Sequence, residues 1–515
     1  MMPKMRGAAI AAGHEKTAAA GREMFTLGGN AFDAAVAAML ASFVVEPVLT
    51  SAAGGGFLLA HTHDNRNLLF DFFSQTPRRK KPLSDLDFYP IEIDFGDETQ
   101  IFHVGLGSMA VPGNLAGVFE VHQQLGKLPF SVVIEPALHY AENGVEMSDF
   151  SAFALNLLKP IFLSNSEIKK IAAPNGKLLQ AGEMLVMKDF AATLTELASR
   201  GAKEFYQGEI AHQLVKDCQE KGGYLTLEDL QNYRVIVRKP LQINYRSRVL
   251  LTNPPPSSGG ILIAFALKLL NSFNLPQIQF GSQQHLQILA EVMRVTNVAR
   301  KLSYDPCIYQ TEIADIFLGD EQINSYQQQL NKLGSTTHIS TIDSEGNAAS
   351  VTTSNGEGSA YVIPGTGIMV NNMLGEADLN PHGFHQWECD RRISSMMSPT
   401  IVLHEGKPEI VLGSGGSNRI RTAILQVISN LVDYQMSLEA AVNSPRVHGE
   451  NNIFSLEPPL SAEIAKKLVF SEENELVLWQ AKNMFFGGVH AVRMTAEGEV
   501  EGAGDPRRDG CWLKV

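Results

Sequence analysis

Residues 31–45, AFDAAVAAMLASFVV, carry a single charged side chain, Asp33. A helix that is small or apolar all round has no solvent face, so this one must be buried on most sides. Asn30 stands where its N-cap is needed, and Gly28-Gly29 close a preceding helix over residues 14–27. The wider apolar stretch from Ala31 to Leu49 is broken by Asp33 and Glu46, which argues against a membrane span. A chain of 515 residues can enclose a large core and has room for two or more subdomains.

Beyond that helix, Ala53-Gly54-Gly55-Gly56 leads into a strand, FLLAHTH. Residues of about 109–235 read as a long helical region, followed by a strand pair around 235–252. The turn Pro254–Gly260 opens another helical stretch to about residue 303. Residues 318–335 are polar and poor in branched apolar side chains, which predicts an exposed helix and linker open to processing. After Thr336 the chain turns to strands, Gly-rich loops and one clear helix at about 419–433. There is no internal repeat and no low-complexity tract.

Hydrophobic residues make up 44% and charged residues 19%, the balance of a soluble globular protein. A net charge of −13 argues against nucleic acid as the main partner, because phosphate binding needs a basic surface. Cys218, Cys307, Cys389 and Cys511 are too scattered for a disulfide framework. The apolar run near the N-terminus is interrupted early by His14, Glu15 and Lys16, too short for a signal peptide, so a cytoplasmic location is expected.

Four constellations could carry chemistry. The run TTHISTIDSEGNAASVTTS reads as a hairpin that starts at Thr336-Thr337 and turns at residues 343–347. Threonine is common at a strand start. A chain cut just before Thr336 would instead hold a hydroxyl and a free α-amine on one residue, a nucleophile with its own base. The second is Gly413-Ser414-Gly415-Gly416-Ser417 before a helix, which suits an oxyanion hole or a plain tight turn. It lacks the Gly-Lys-Ser/Thr of a phosphate loop. The third is the serine-bearing loop Arg391–Pro399, able to bind a carboxylate or simply to satisfy its own turn. The fourth, His382, His385 and Cys389, has ligand-like spacing but no four-ligand closure, so a polar and aromatic loop is expected rather than a metal site. His61 and His63 alternate along a strand, which suggests a surface pair.

Taken in order, a set of short motifs resembles the γ-glutamyltransferases, a group of N-terminal-nucleophile hydrolases, over nearly the whole chain. They include GGNAFDAAVAA (28–38), GGGF (54–57), VPGNLAG (111–117), EPALHYAENG (135–144), PPPSSGG (254–260), TTH (336–338), MSPT (397–400), GSGGS (413–417) and GDPRRDG (504–510). The resemblance implies an α+β fold, a four-layer αββα sandwich, with the nucleophile at the start of a central strand. It implies self-cleavage between Ser335 and Thr336, giving a large portion, 1–335, and a small portion, 336–515, with no further partner protein and no cofactor or metal. It implies that Thr336 attacks an amide carbonyl, that Gly415 and Gly416 form the oxyanion hole, and that Ser354 supports the threonine hydroxyl. The substrate would be a small-molecule amide such as a γ-glutamyl compound, its acyl group passing to water or to an amine.

Four departures from the family pattern fall on substrate-recognition positions. Phe73 stands in place of an arginine that grips the α-carboxylate, and losing such a charge-assisted contact costs about 1.5–3 kcal/mol. Glu376 stands for an aspartate that holds the α-amine, and Gly356 for an asparagine that assists it. Ser395 matches one of two serines, the other displaced by Met396. An altered acyl-group specificity is therefore expected, with Arg78, Arg391 and Arg392 as candidates to replace the lost cation. The alternatives are a glutathione-cleaving transferase, an acylase of the cephalosporin-acylase type in which Phe73 lines an apolar pocket, and a non-catalytic binding relative.

Overall fold

The computed structural model of the chain describes residues 7–94, 99–319, 336–380, 382–450, 452–460, 462–470, 475–495 and 497–515. Most of the polar segment expected to form a linker before Thr336 lies outside them. The all-apolar helix forms as expected over Ala31–Val45, with every residue buried. Asn30 and Asp33 close a capping box at its start. Asp33 also accepts main-chain bonds from Lys127 and Leu128, which ties a neighbouring loop to the same helix end.

Two sheets dominate the molecule. The first has seven strands in the order Cys511–Lys514, Ala9–Ala12, Thr337–Ile342, Ala348–Ser354, Gly55–His61, Asn67–Phe72 and Ile236–Arg238. The second has six, in the order Val500–Ala503, Gly488–Met494, Lys407–Gly415, Thr400–His404, Arg248–Thr252 and Leu241–Tyr245. Strands Thr337–Ile342 and Ala348–Ser354 face Lys407–Gly415 and Gly488–Met494 across the middle. Helices Glu15–Thr26 and Ala31–Val45 cover the outside of the first sheet, and Ser258–Leu270 and Arg419–Val432 that of the second. This is the four-layer αββα sandwich.

The period-two rule of strands divides the core. Along Gly55–His61, Leu58 and Ala60 join the cluster around Ala31–Val45, while Phe57 and Leu59 join the one that holds the second sheet. Hydrogen bonds cross the dry interface as well. Ser350 Oγ donates to Leu412 O and accepts from Thr400 N, each at 3.0 Å. His338, fully buried, lies between Thr352 Oγ1 at 2.8 Å and Ser340 Oγ at 2.9 Å. Burial holds its pKa well below the ordinary histidine value, and His490 nearby adds to the effect.

Two expectations need correction, and one strand has no counterpart in the sequence reading. Ala9–Ala12 is an interior strand, paired with Thr337–Ile342 on one side and Cys511–Lys514 on the other. Its AIAA sequence shows no alternation because both of its faces are covered. The strand pair near residue 240 is Leu241–Tyr245 with Arg248–Thr252, whereas Ile236–Arg238 belongs to the edge of the other sheet. His61 is buried and bonds Asn67 Oδ1 at 2.8 Å, and only His63, beyond the strand end, is exposed. All four cysteines are free thiols. Among the described residues no helix is long and apolar enough to cross a membrane.

Asp343 ties the central hairpin to the buried helix. Its Oδ1 accepts from Glu345 N (2.9 Å) and Asn347 N (3.0 Å), and its Oδ2 from Asn347 Nδ2 (2.8 Å) and Ala31 N (3.0 Å). The last contact also places negative charge at a helix N-terminus. Asp343→Ala leaves these donors without their acceptor and should destabilise the protein by about 3 kcal/mol, read as a lower urea midpoint, with Asp343→Asn recovering part of the loss.

Candidate active site

Thr336 precedes the strand Thr337–Ile342, and Thr337 pairs with Thr353 on the neighbouring strand. Thr336 and Ser354 therefore stand at the same end of one ladder. The position is fixed from below by Thr337, whose Oγ1 donates to Glu46 Oε2 at 2.6 Å. Thr17 Oγ1 donates to the other oxygen of Glu46 at 2.7 Å. Burial raises the pKa of Glu46, while His14 and these two hydroxyls oppose the rise. From the opposite sheet, Gly415 packs directly on the Thr336 carbonyl, and a Cβ there would run into that oxygen. Glycine is therefore required by close approach of two main chains.

A pocket opens against Thr336. Phe73, Met373, Met396, Met397 and Ile420 supply apolar lining. Ser354, Ser395 and Ser417 supply hydroxyls, and Glu376 and Asp378 supply carboxyl groups. Phe73 is fully buried and stacks on Phe57 with ring centroids 5.4 Å apart. Ser395 Oγ accepts from Met397 N at 3.1 Å, whereas Ser394 turns away to Ser258. Gly356 has φ +64, and a Cβ there would collide with Asn372 and Glu376. An asparagine at 356, the residue expected from the family pattern, would have to displace the side-chain ends of Asn372 and Glu376.

The electrostatics of the pocket are acidic. Glu376 Oε1 accepts from Glu357 N at 3.1 Å. Burial, then the nearby Glu357 and Asp378, hold the Glu376 carboxyl well above the ordinary carboxylate range. Asp378 is half-buried as a residue, but its Oδ1 is sealed from water and has no hydrogen-bond partner among the described residues. Its other oxygen accepts from Ser417 Oγ at 2.5 Å. Burial pushes Asp378 up to about 7, against the pull of Ser417, Arg300 and Arg419.

The sequence-derived residues Thr336, Ser354, Gly356, Glu376, Ser395 and Phe73 all line this one pocket, with Gly415 and Gly416 beside it. None of the three arginines offered as replacement cations lines it. Arg392 is buried behind Phe73, donating to the carbonyls of Phe73 and Arg234 and to Tyr233 Oη. Arg391 pairs with Glu388 and Arg78 with Asp390. His385 bonds Tyr224 Oη at 2.9 Å and packs edge-on to Phe88, and no metal-ligating cluster is found among the described residues. Sequence reasoning missed Asp378, two positions from Glu376, and Arg508, inside the GDPRRDG run that only the resemblance singled out. Neither has a signal in local spacing.

This layered fold, with a threonine at the head of a central strand beside a pocket, is that of the N-terminal-nucleophile hydrolases. The gamma-glutamyltranspeptidase profile matches residues 17–515. An Acylase ACY 1 proenzyme from Pseudomonas sp. (strain SE83) is 31% identical over 98% of this chain and 93% of its own length. A glutathione hydrolase proenzyme from Escherichia coli (strain K12) is 31% identical over 95% and 88%. The crystal structure of cephalosporin acylase from Bacillus halodurans superposes with a TM-score of 0.86, covering 100% of this chain and 96% of its own, at 23% identity. The chain belongs to the γ-glutamyltranspeptidase family and is an enzyme of the amidohydrolase and acyltransferase kind.

Two outcomes follow from the geometry. Gly415→Ala should displace Thr336 and lower amide hydrolysis by about a hundredfold or more, with the circular dichroism spectrum retained. Asp378 binds its proton more tightly folded than unfolded, where the ordinary value is 3.8, so it withdraws stability as pH rises from there towards 7. Asp378→Asn should therefore raise Tm more at pH 8 than at pH 5.

Proposed function

We propose that the protein is a self-processing N-terminal-threonine amidohydrolase whose acyl pocket has lost recognition of an α-carboxylate. Cleavage between Ser335 and Thr336 would leave a large portion, 1–335, and a small portion, 336–515, held together by the shared sheet. In the cut enzyme the Thr336 Oγ attacks the substrate's amide carbonyl, and its proton passes by way of the α-amine to the leaving amine as the C–N bond breaks. Main-chain N–H groups at Gly415 and Gly416 stabilise the oxyanion, and Ser354 supports the threonine hydroxyl. The acyl-enzyme then gives its acyl group to water or to an amine. The proenzyme names of the relatives support the cleavage.

One observation carries the specificity. Among the described residues no lysine, arginine or histidine lines the pocket, and Phe73 presents a stacked aromatic wall where a guanidinium would be needed. A carboxylate placed there would be desolvated with no partner, beside two carboxyl groups. An acyl group without an α-carboxylate fits better, in line with the likeness to the Pseudomonas acylase. A γ-glutamyl donor is the second reading, favoured by Glu376, whose carboxyl group could meet an amine.

Two measurements test this. On a denaturing gel the mature protein should run as two bands and Thr336→Ala as one; a single full-length band from the unmutated, folded protein would sink the proposal. Among anilides, simple acyl compounds should be hydrolysed with a higher kcat/KM than the γ-glutamyl compound, and a clear preference for γ-glutamyl would establish the second reading instead.

A further inference from the structure

Three arginines converge beneath the Thr336 end of the sandwich, and they differ in how their charge is balanced. Arg446 pairs with Asp505 at 2.5 Å. Arg507 pairs with Glu457 at 2.5 Å and with Asp505 at 3.1 Å. Arg508 forms no ion pair among the described residues. Its Nη1 donates to the Thr336 carbonyl at 3.3 Å and its Nη2 to the Met484 carbonyl at 3.2 Å. Its Nε has no partner, although the whole side chain is buried.

The surroundings are shaped to let this guanidinium in. A Cβ on Gly488 would press on the Arg508 stem at 2.6 Å, and Cβ atoms on Gly415 and Gly416 would lie 3.4 and 3.3 Å from its two terminal nitrogens. The cation thus sits behind the glycine pair and against the main chain of the threonine. Burying an arginine without a matched carboxylate is unfavourable, and such an arrangement persists where the charge serves another group. Burial lowers the pKa of Arg508 to about 10, with Glu357 the main opposing charge. At that value it remains a cation at neutral pH.

We propose that Arg508 is a positioning residue for Thr336: it holds the threonine's carbonyl and keeps the α-amine exposed by cleavage in its neutral, proton-accepting form. This rests on the reading of Thr336 as an N-terminal nucleophile. An α-amino group ordinarily titrates near 7.7–8.0, so much of it would be protonated at neutral pH and unable to act as a base. A cation bound to the same residue's carbonyl disfavours that protonation through like-charge repulsion, and in a buried setting the repulsion is weakly screened. The other charged or titratable groups facing Arg508 are Glu357 beyond the strand Ala348–Ser354, Arg446, Asp505, and His490 on Gly488–Met494. Asp505 is already engaged by two arginines, and burial holds His490 at about 4, hence neutral. Glu357 therefore tempers the field at Arg508, while Glu376 and Asp378, which line the pocket with Thr336, face the amine from the other side.

The test is the acid limb of kcat/KM against pH, measured on the cut enzyme with a simple acyl anilide. Arg508→Gln should move that limb upward by about one pH unit, whereas Arg508→Lys, which keeps the charge, should leave it nearly in place while lowering kcat. Glu357→Gln should move the limb downward. A purely architectural role would lower activity equally at every pH, so an unmoved limb in cut Arg508→Gln overturns the proposal. If Arg508→Gln folds but stays uncut, Glu357→Gln decides: a downward shift supports the proposal, and an unmoved or raised limb overturns it. Unmutated protein that runs as one band would instead remove the reading of Thr336, and this proposal with it.

Discussion

The site depends on the contact between the Gly415 main chain and the Thr336 carbonyl, a close approach of the two sheets. Strand Thr337–Ile342 contributes the threonine from one sheet and strand Lys407–Gly415 contributes the glycine from the other. A side chain at 415 would hold the sheets apart and push the threonine out of line. The same approach is supported from the far side by Glu46, which takes hydroxyl donors from Thr17 and Thr337 and so ties the outer helices to the base of the site. A threonine gripped on both sides enters a reaction with little freedom left to lose, the condition under which orientation contributes most to rate.

Charge is distributed around this point in an unusual way. Carboxyl groups line the pocket, and no cation does so among the described residues, although Arg300 and Arg419 act on Asp378 from behind it. Arg392, behind Phe73, is engaged by Asp71 and by the carbonyls of Phe73 and Arg234. Arg508 is aimed at the main chain of Thr336. The apolar pocket wall at Phe73 is therefore backed by two neighbours, the stacked ring of Phe57 and an arginine already paired with Asp71.

Much of the fold was legible from local pattern. The helix Ala31–Val45, its Asn30 cap, the hairpin from Thr337 to Ser354 and the helix after GSGGS all carry strong periodicity or strong punctuation, and each forms as read. Ala9–Ala12 carried neither, because a strand covered on both faces has no alternation to show. His61 misled for a related reason: its polar ring is satisfied by Asn67 on the next strand, and the alternation rule cannot see a partner. The candidate site was legible only through the order of many short motifs, since its residues come from segments as far apart as Phe73 and Gly416.

By itself, then, the sequence determined the family, the sandwich and several of the residues that meet at the pocket, because each rests on local chemistry repeated in order along the chain. Only the tertiary structure decided what surrounds them. The close approach of Asn372 and Glu376 to Gly356, the engagement of Arg392 away from the pocket, the sealed oxygen of Asp378 and the line from Arg508 to Thr336 all join residues remote in the chain. Such relations depend on burial and distance, and those quantities exist only once the sheets have closed on each other.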